Sequence, residues 1–312
     1  MIATPSLPLS AHELQAAFRQ SRRVDLSRLN RILGLDSQRG LLEVQANTPW
    51  QSVAEQLRPG DTQVRQLLAP HATVGATLGR NAAGPDGRPA VTHVESLTMV
   101  TPDGLLRRVD RLTAAELFAL VLGGQGLFGA LYSATLRVES LLRSVLEPEP
   151  LEALPPGLPA GPARRLRLLV PPARLETFIE QARSRCAEWR TAIEGLQVRR
   201  TRNEDETLLR WALRDYAEVT LWLGERRTIG GAVRATQVRR ELIDAAIALG
   251  GSFPIGGTPE ATRAHAEACY PQLGAFLTEQ RRIDPGGVMT NAWLRHHRSL
   301  LGRESCEVRW GD

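Results

Sequence analysis

The chain has 312 residues, 42% hydrophobic and 23% charged, the profile of a globular protein with room for one large domain or two ordinary ones. Net charge is +5 and all 39 basic residues are arginines, which excludes a Schiff-base lysine, a Walker-type phosphate lysine and a lysine general base. No stretch reaches the roughly 18 consecutive apolar residues of a membrane span.

The opening "MIATPSLPLS" has neither a basic region nor an apolar core, so no secretory signal is expected and the cytoplasm is the expected compartment. The arginines are scattered, and aromatic residues make up only 5%, which weighs against nucleic acid as a partner. Cys186, Cys269 and Cys306 are far apart and show no CxxC spacing, so neither a metal site nor a disulfide framework is expected.

Ser10 and Glu13 form a capping-box pattern ahead of a short helix. "LLEVQAN" reads as a strand, and Thr48 is placed to cap the helix "PWQSVAEQL", with Pro49 at its first position. A glycine-rich stretch follows, "ATVGATLGRNAAGPDGR" over 72–88, with His71 and then His93 at its flanks. Glycine permits positive φ and close approach of a ligand to bare backbone, so the stretch fits either a set of tight turns or a cofactor cradle.

"VESLTMVTPDGLLRRVD" reads as a hairpin turning at "PDG", and Thr113 with Glu116 as a capping box for "AELFALVL". "ALYSATLRVES" alternates, with Tyr132, Ala134, Leu136 and Val138 on one face of a half-buried strand. Between them, "GGQGLFG" contains Gly124, Gly126 and Gly129 in the G-x-G-x-x-G spacing. Here a helix precedes the glycines and a strand follows, the reverse of a dinucleotide fingerprint, so the motif reads as a helix stop and strand entry.

A Pro-rich stretch over 147–163 reads as a linker. Beyond it come a strand "RLRLLVP", a helix that places Leu175, Phe178, Ile179, Ala182 and Cys186 on one stripe, two further strands, and the helix "VRATQVRRELIDAAIALGG". "TPEATRAHAEACY" is expected to be a capped helix with Pro259 in its first turn. Asp25, Asp36, Asp103, Asp110 and Asp284 are expected to be solvated turn carboxylates, and His296 with His297 to lie on the surface. No G-x-S-x-G or H-E-x-x-H is present to support a hydrolase or zincin. The pattern is an α+β chain of two lobes.

Taken in order, "VDLSRLNRILGLD", "LLEVQANTPWQSVAEQL", "ATVGATLGRNAAG", "VESLTMVTPDG" and "ELFALVLGGQGLFGALYSATLRV" resemble the FAD-binding domain of the vanillyl-alcohol oxidase family, the PCMH-type fold, over roughly residues 24–140. "YPQLGAFLTEQRRIDPGGVMTN" is similar to the closing segment of its sugar-oxidising members, decaprenylphosphoryl-ribose and sugar-lactone oxidases. The resemblance implies a shortened FAD lobe at 1–146, the linker at 147–163, a substrate cap at 164–280 and a return to the FAD lobe at 281–312. It implies Thr73, Val74, Gly75, Asn81, Gly84, Gly123, Gly124, Gly126 and Gly129 as cofactor contacts. Main-chain N–H groups there would meet the FAD phosphates, as in an anion nest.

Two departures accompany the resemblance. The family's first glycine-rich phosphate loop is missing, because "AAFRQSRR" runs straight into "VDLSRLNRI". The histidine that often tethers the flavin goes with it, so FAD would be held non-covalently. Arg80 and Arg88 are the arginines expected to replace the lost phosphate contacts. In addition, "GGSFPIGGTPEA" lacks the lysine that the sugar oxidases carry. Two readings follow. One is an FAD-dependent oxidoreductase of an alcohol or sugar-like small molecule, with Tyr132, His71 and His93 as candidate bases. The other is a non-catalytic or accessory subunit of a redox complex that has lost tight FAD binding.

Overall fold

A computed structural model describes residues 6–20, 24–62, 73–159, 164–225 and 228–302. His71 and Cys306 lie outside them. The chain is α+β and divides into two compact units. Unit 1 comprises Met1–Pro148, Asp205–Leu209 and Gly274–Arg298, and unit 2 the remainder.

Unit 1 is built on an antiparallel five-stranded sheet in the order β1-β2-β5-β3-β4. Its strands are β1 (Ile32–Asp36), β2 (Leu41–Gln45), β3 (Val94–Val100), β4 (Leu106–Asp110) and β5 (Ala130–Arg137). One face buries Leu42, Val44, Leu97 and Leu136 against α2 (Trp50–Leu57), α3 (Val74–Gly79), α4 (Ala115–Val121) and α5 (Val138–Leu146). The other cluster joins Val100 and Ala130 to Leu14 of α1 (Ala11–Arg19). Each such side chain contributes about 1.5–3 kcal/mol by leaving water, so the sheet's two apolar faces fix where the helices lie.

Several local expectations give way to tertiary structure. Tyr132 does not share a face with Ala134 and Leu136. The β3–β5 register shifts between Thr98 and Met99, whose partners are Ser133 and Leu131, and Tyr132 packs in the second cluster. One extra residue in a strand reverses the phase of every side chain before it. "VES" does not continue the strand but opens α5. Pro49 caps α2 without a side-chain bond, and the Thr48 hydroxyl donates to Arg31 O instead. Ala114 caps α4 at φ +57, while the N–H groups of Leu112 and Thr113 are taken by Asp110. Ser10 does cap α1, but Glu13 reaches Leu9 N, one residue further out than a capping box requires.

Residues 205–209 fold with unit 1 because Arg111 holds them there. Its guanidinium donates to Val94 O at 2.6 Å and Val91 O at 2.9 Å, pairs with Glu206, and lies 5.0 Å from the Phe118 ring centre. Leu208 N adds a bond to Ala119 O at 3.0 Å.

Unit 2 has an antiparallel four-stranded sheet in the order β6-β8-β9-β7. The strands are β6 (Leu151–Leu154), β7 (Arg164–Val170), β8 (Ile193–Thr201) and β9 (Tyr216–Leu223). β6 lies inside the stretch read as a linker and pairs with β8 as an exposed edge. Its helices are α6 (Leu175–Glu188), α7 (Ile229–Ala248) and α8 (Arg263–Cys269). α8 starts at Thr262, whose hydroxyl and His265 form the capping box, so Pro259 precedes the helix. Cys186 sits in the core as expected, and burial pushes its thiol up to about 11.

The chain returns to unit 1 through α9 (Leu273–Ile283) and α10 (Ala292–Leu300). Asp284 and His297 both contradict the surface readings. Asp284 is 2% exposed and accepts from Val288 N at 2.9 Å and Met289 N at 2.7 Å, which fixes the loop after α9. His297 is 6% exposed, stacked 4.0 Å from the Trp293 ring, with Nδ1 2.9 Å from Trp293 O.

Burial holds the His297 pKa down at about 4, against an ordinary 6.5. Between those values the unfolded chain binds a proton that the folded chain does not, so stability is present above pH 6.5 and is lost as pH falls toward 4. The shift corresponds to a loss on the order of 3 kcal/mol. Urea unfolding at stepped pH should show this decline across that window, and His297→Phe should flatten it.

Candidate functional site

The site lies where α3 meets the turn after α4. Thr73 caps α3, its hydroxyl accepting from Ala76 N at 3.4 Å. Gly75 N bonds Ala46 O at 2.6 Å and Val74 N bonds Thr48 O at 3.0 Å, so α3 is fastened to the loop after β2. A Cβ on Gly75 would stand 2.8 Å from Ala46 O, which requires glycine there. At the far end of α3, Gly123 N bonds Leu78 O at 3.0 Å and Gln125 N bonds Gly79 O at 2.8 Å. A third segment joins this point, because the Asn291 side-chain amide donates to Gln125 O at 2.8 Å.

These bonds leave Gly79 and Gly126 side by side on the wall of a cleft of about 960 Å³. A Cβ on Gly126 would meet nothing within 4 Å, and one on Gly79 only Gly126 N at 3.8 Å. Backbone is thus bare at this point of the wall. Gly126 has φ +71, and its N–H makes no hydrogen bond to any described residue. Apolar groups including Phe18, Leu26, Leu97, Val121 and Met289 line much of the rest. Among the described residues the only charged side chain in the lining is Arg295.

The structure divides the residues singled out from sequence. Thr73, Gly75, Gly126 and Gly129 line the cleft. Val74 is fully buried beneath it. Asn81 is also fully buried, at φ +46, and accepts from Val91 N at 2.9 Å. Gly123 and Gly124 shape the turn without lining the cleft, and a Cβ on Gly124 would lie 2.0 Å from Leu120 O. Gly84 stands apart, bonded through its N–H to Arg88 O at 2.8 Å.

Arg80 and Arg88 are absent from the lining, and Arg88 lies 3.7 Å from Asp86. His93 is 4% exposed, with Nδ1 2.8 Å from Ser140 Oγ and Nε2 3.8 Å from Asp86. Burial opposes ionisation of Asp86, but hydrogen bonding and charge from His93 outweigh it and hold that carboxyl below its usual value. Neither His93 nor Tyr132 lines the cleft, and His71 falls outside the described residues.

Sequence reasoning missed Asn47, Thr290, Asn291 and Arg295 as cleft residues, and reached Gly79 only as part of the glycine stretch. "DPGGVMTNAWLR" was legible as a return segment, but nothing in its spacing says which side chains arrive at the cleft. No group of histidine, cysteine or carboxylate side chains that could hold a metal occurs among the described residues. No described helix is long and apolar enough to cross a membrane.

With this geometry in place, the comparison with known families is specific in extent. Residues 12–110 match the family described as FAD binding domain. The match takes in α1 to β4, and so Thr73, Gly75 and Gly79. The turn at Gly126 and the return segment at Arg295 lie beyond it. No curated protein matches the chain. FAD also fits the residues present. A flat ring system and a phosphate ester need apolar walls, bare main chain and uncommitted donors, and the cleft offers all three within the usual size range for cofactors.

Gly79→Leu separates binding from folding. Gly79 is helical without a positive φ, so a side chain there is accommodated without backbone strain and improves helix propensity by up to about 1 kcal/mol. The variant should melt at or above the wild-type temperature and bind FAD at least tenfold more weakly, as read by calorimetry.

Proposed function

We propose that the chain is an FAD-dependent oxidoreductase acting on an alcohol or sugar-like substrate, with FAD held non-covalently in the unit 1 cleft. The observation that carries this is the paired bare backbone of Gly79 and Gly126 in an apolar cleft, within a unit whose residues 12–110 match FAD-binding domains. When bound, FAD supplies a hydride acceptor.

The chain's own contribution in the cleft is binding and shielding. Leu78, Leu97 and Val121 keep water from one wall, and the Thr290 hydroxyl has no partner among the described residues and is free to bond a ligand. Unit 2 is proposed as the substrate-selecting domain. Its sheet presents Gln197, Thr220 and Trp222 in one cross-strand region, beside Glu218 held between Arg167 at 3.5 Å and Arg199 at 3.0 Å. Such a set of amide, hydroxyl and indole groups suits a polyhydroxylated ligand.

A second reading, an accessory redox subunit, is favoured by one observation. The described cleft lining contains no Asp, Glu, His, Tyr or Cys that could take a substrate hydroxyl proton.

Anaerobic mixing of the FAD-loaded chain with a panel of polyols, aldoses and primary alcohols distinguishes the two readings. Bleaching of the flavin band by at least one of them is the expected result. A chain that binds FAD yet is reduced by none of the panel supports the accessory subunit.

A further inference from the structure

We propose that Arg295 is the phosphate anchor of this cleft: its guanidinium binds a phosphate oxygen of the nucleotide held there. The inference rests on the reading of the cleft as a flavin-nucleotide site. It also adds a residue beyond the span that matches FAD-binding domains.

What sets Arg295 apart from the other described arginines of its unit is that it alone lines the cleft, and it does so without a partner among the described residues. Arg107, Arg111, Arg137, Arg143 and Arg282 each bind a carboxylate, and Arg298 donates to the Gln280 carbonyl at 2.9 Å. The Arg295 side chain makes no hydrogen bond or ion pair with any described residue. No acidic side chain occurs in the described lining, so nothing there opposes its charge. A cation without a counter-ion, in a cleft of neutral groups, favours an anionic ligand.

Its position is also fixed. Arg295 N bonds Asn291 O at 3.2 Å, and Asn291 Oδ1 accepts from Leu294 N at 2.9 Å. Leu294 is 3% exposed, which pins that turn of α10. The Asn291 amide is in turn bonded to Gln125 O, next to Gly126. The backbone carrying Arg295 is therefore held relative to the turn that presents the free Gly126 N–H. A guanidinium offers a planar fork of donors that matches phosphate geometry, and such charge-assisted bonds are about twice as strong as neutral ones.

The test compares three ligands on the full chain: FAD, riboflavin and inorganic pyrophosphate. Arg295→Gln should weaken FAD roughly 10- to 100-fold and remove most of the salt dependence of its binding. Riboflavin, which has no phosphate, should bind wild type and variant within about twofold of each other. Arg295→Lys should fall between, because it keeps the charge and loses the fork. Pyrophosphate should compete with FAD on the wild type and not on Arg295→Gln. Arg295 is exposed, so circular dichroism melts should confirm an unchanged fold.

Equal losses for FAD and riboflavin would overturn the proposal, since Arg295 would then be shaping the cleft rather than holding phosphate. Unchanged FAD affinity in Arg295→Gln would overturn it as well. A wild-type chain that binds pyrophosphate through Arg295 but neither flavin would support the anion site and sink the flavin reading. Binding of none of the three ligands would overturn both.

Discussion

The site depends on the pair of backbone hydrogen bonds that lash the "GGQG" turn to the end of α3. Gly123 N to Leu78 O and Gln125 N to Gly79 O bring segments more than forty positions apart into main-chain contact. Gly123 and Gly126 supply the positive φ that the turn needs, and Gly79 adds a position with no side chain beside it. The bond from Gln125 N also satisfies the Gly79 carbonyl at the C-terminal end of a short helix, which would otherwise need water or another donor. What is left facing the cleft is bare backbone.

The rest of unit 1 holds that junction in place. The five-stranded sheet fixes the loop after β2, to which the start of α3 is bonded through Ala46 and Thr48. Trp50 Nε1 donates to Thr77 Oγ1 at 2.8 Å and ties the middle of α3 to α2. From the other end of the sequence, buried Asp284 orders the loop that delivers Val288 and Met289, and Asn291 hooks that loop to Gln125. A carboxylate that reads as turn punctuation in the sequence thus organises one wall of the cleft.

Most of the architecture was legible in the sequence because periodicity and turn chemistry are local. The β3–β4 hairpin at "PDG", the buried stripe of α6 and the helix stop after α7 all follow from spacing. The misreadings came from non-local causes. Tyr132 changed faces because of a bulge set by the facing strand. His297 is buried where it stacks on Trp293, whose ring in turn packs edge-on against Phe276 of α9, and β6 pairs because β8 offers it an edge. For the site, the glycine stretch identified one wall, and Thr73 and Gly75 lie on it. Asn81 and Gly84, from the same motif, serve the fold instead. Arg295 could not be singled out from 39 basic residues, since its significance lies in where the fold places it, in the cleft lining without a partner among the described residues.

The most direct test of the account is the visible spectrum of the purified chain as FAD is titrated in. Bare backbone at Gly79 and Gly126, apolar walls and one unopposed cation predict a flavin band that shifts and saturates at one equivalent, with low-micromolar affinity or tighter. An unperturbed flavin spectrum without saturation at high micromolar FAD would contradict it.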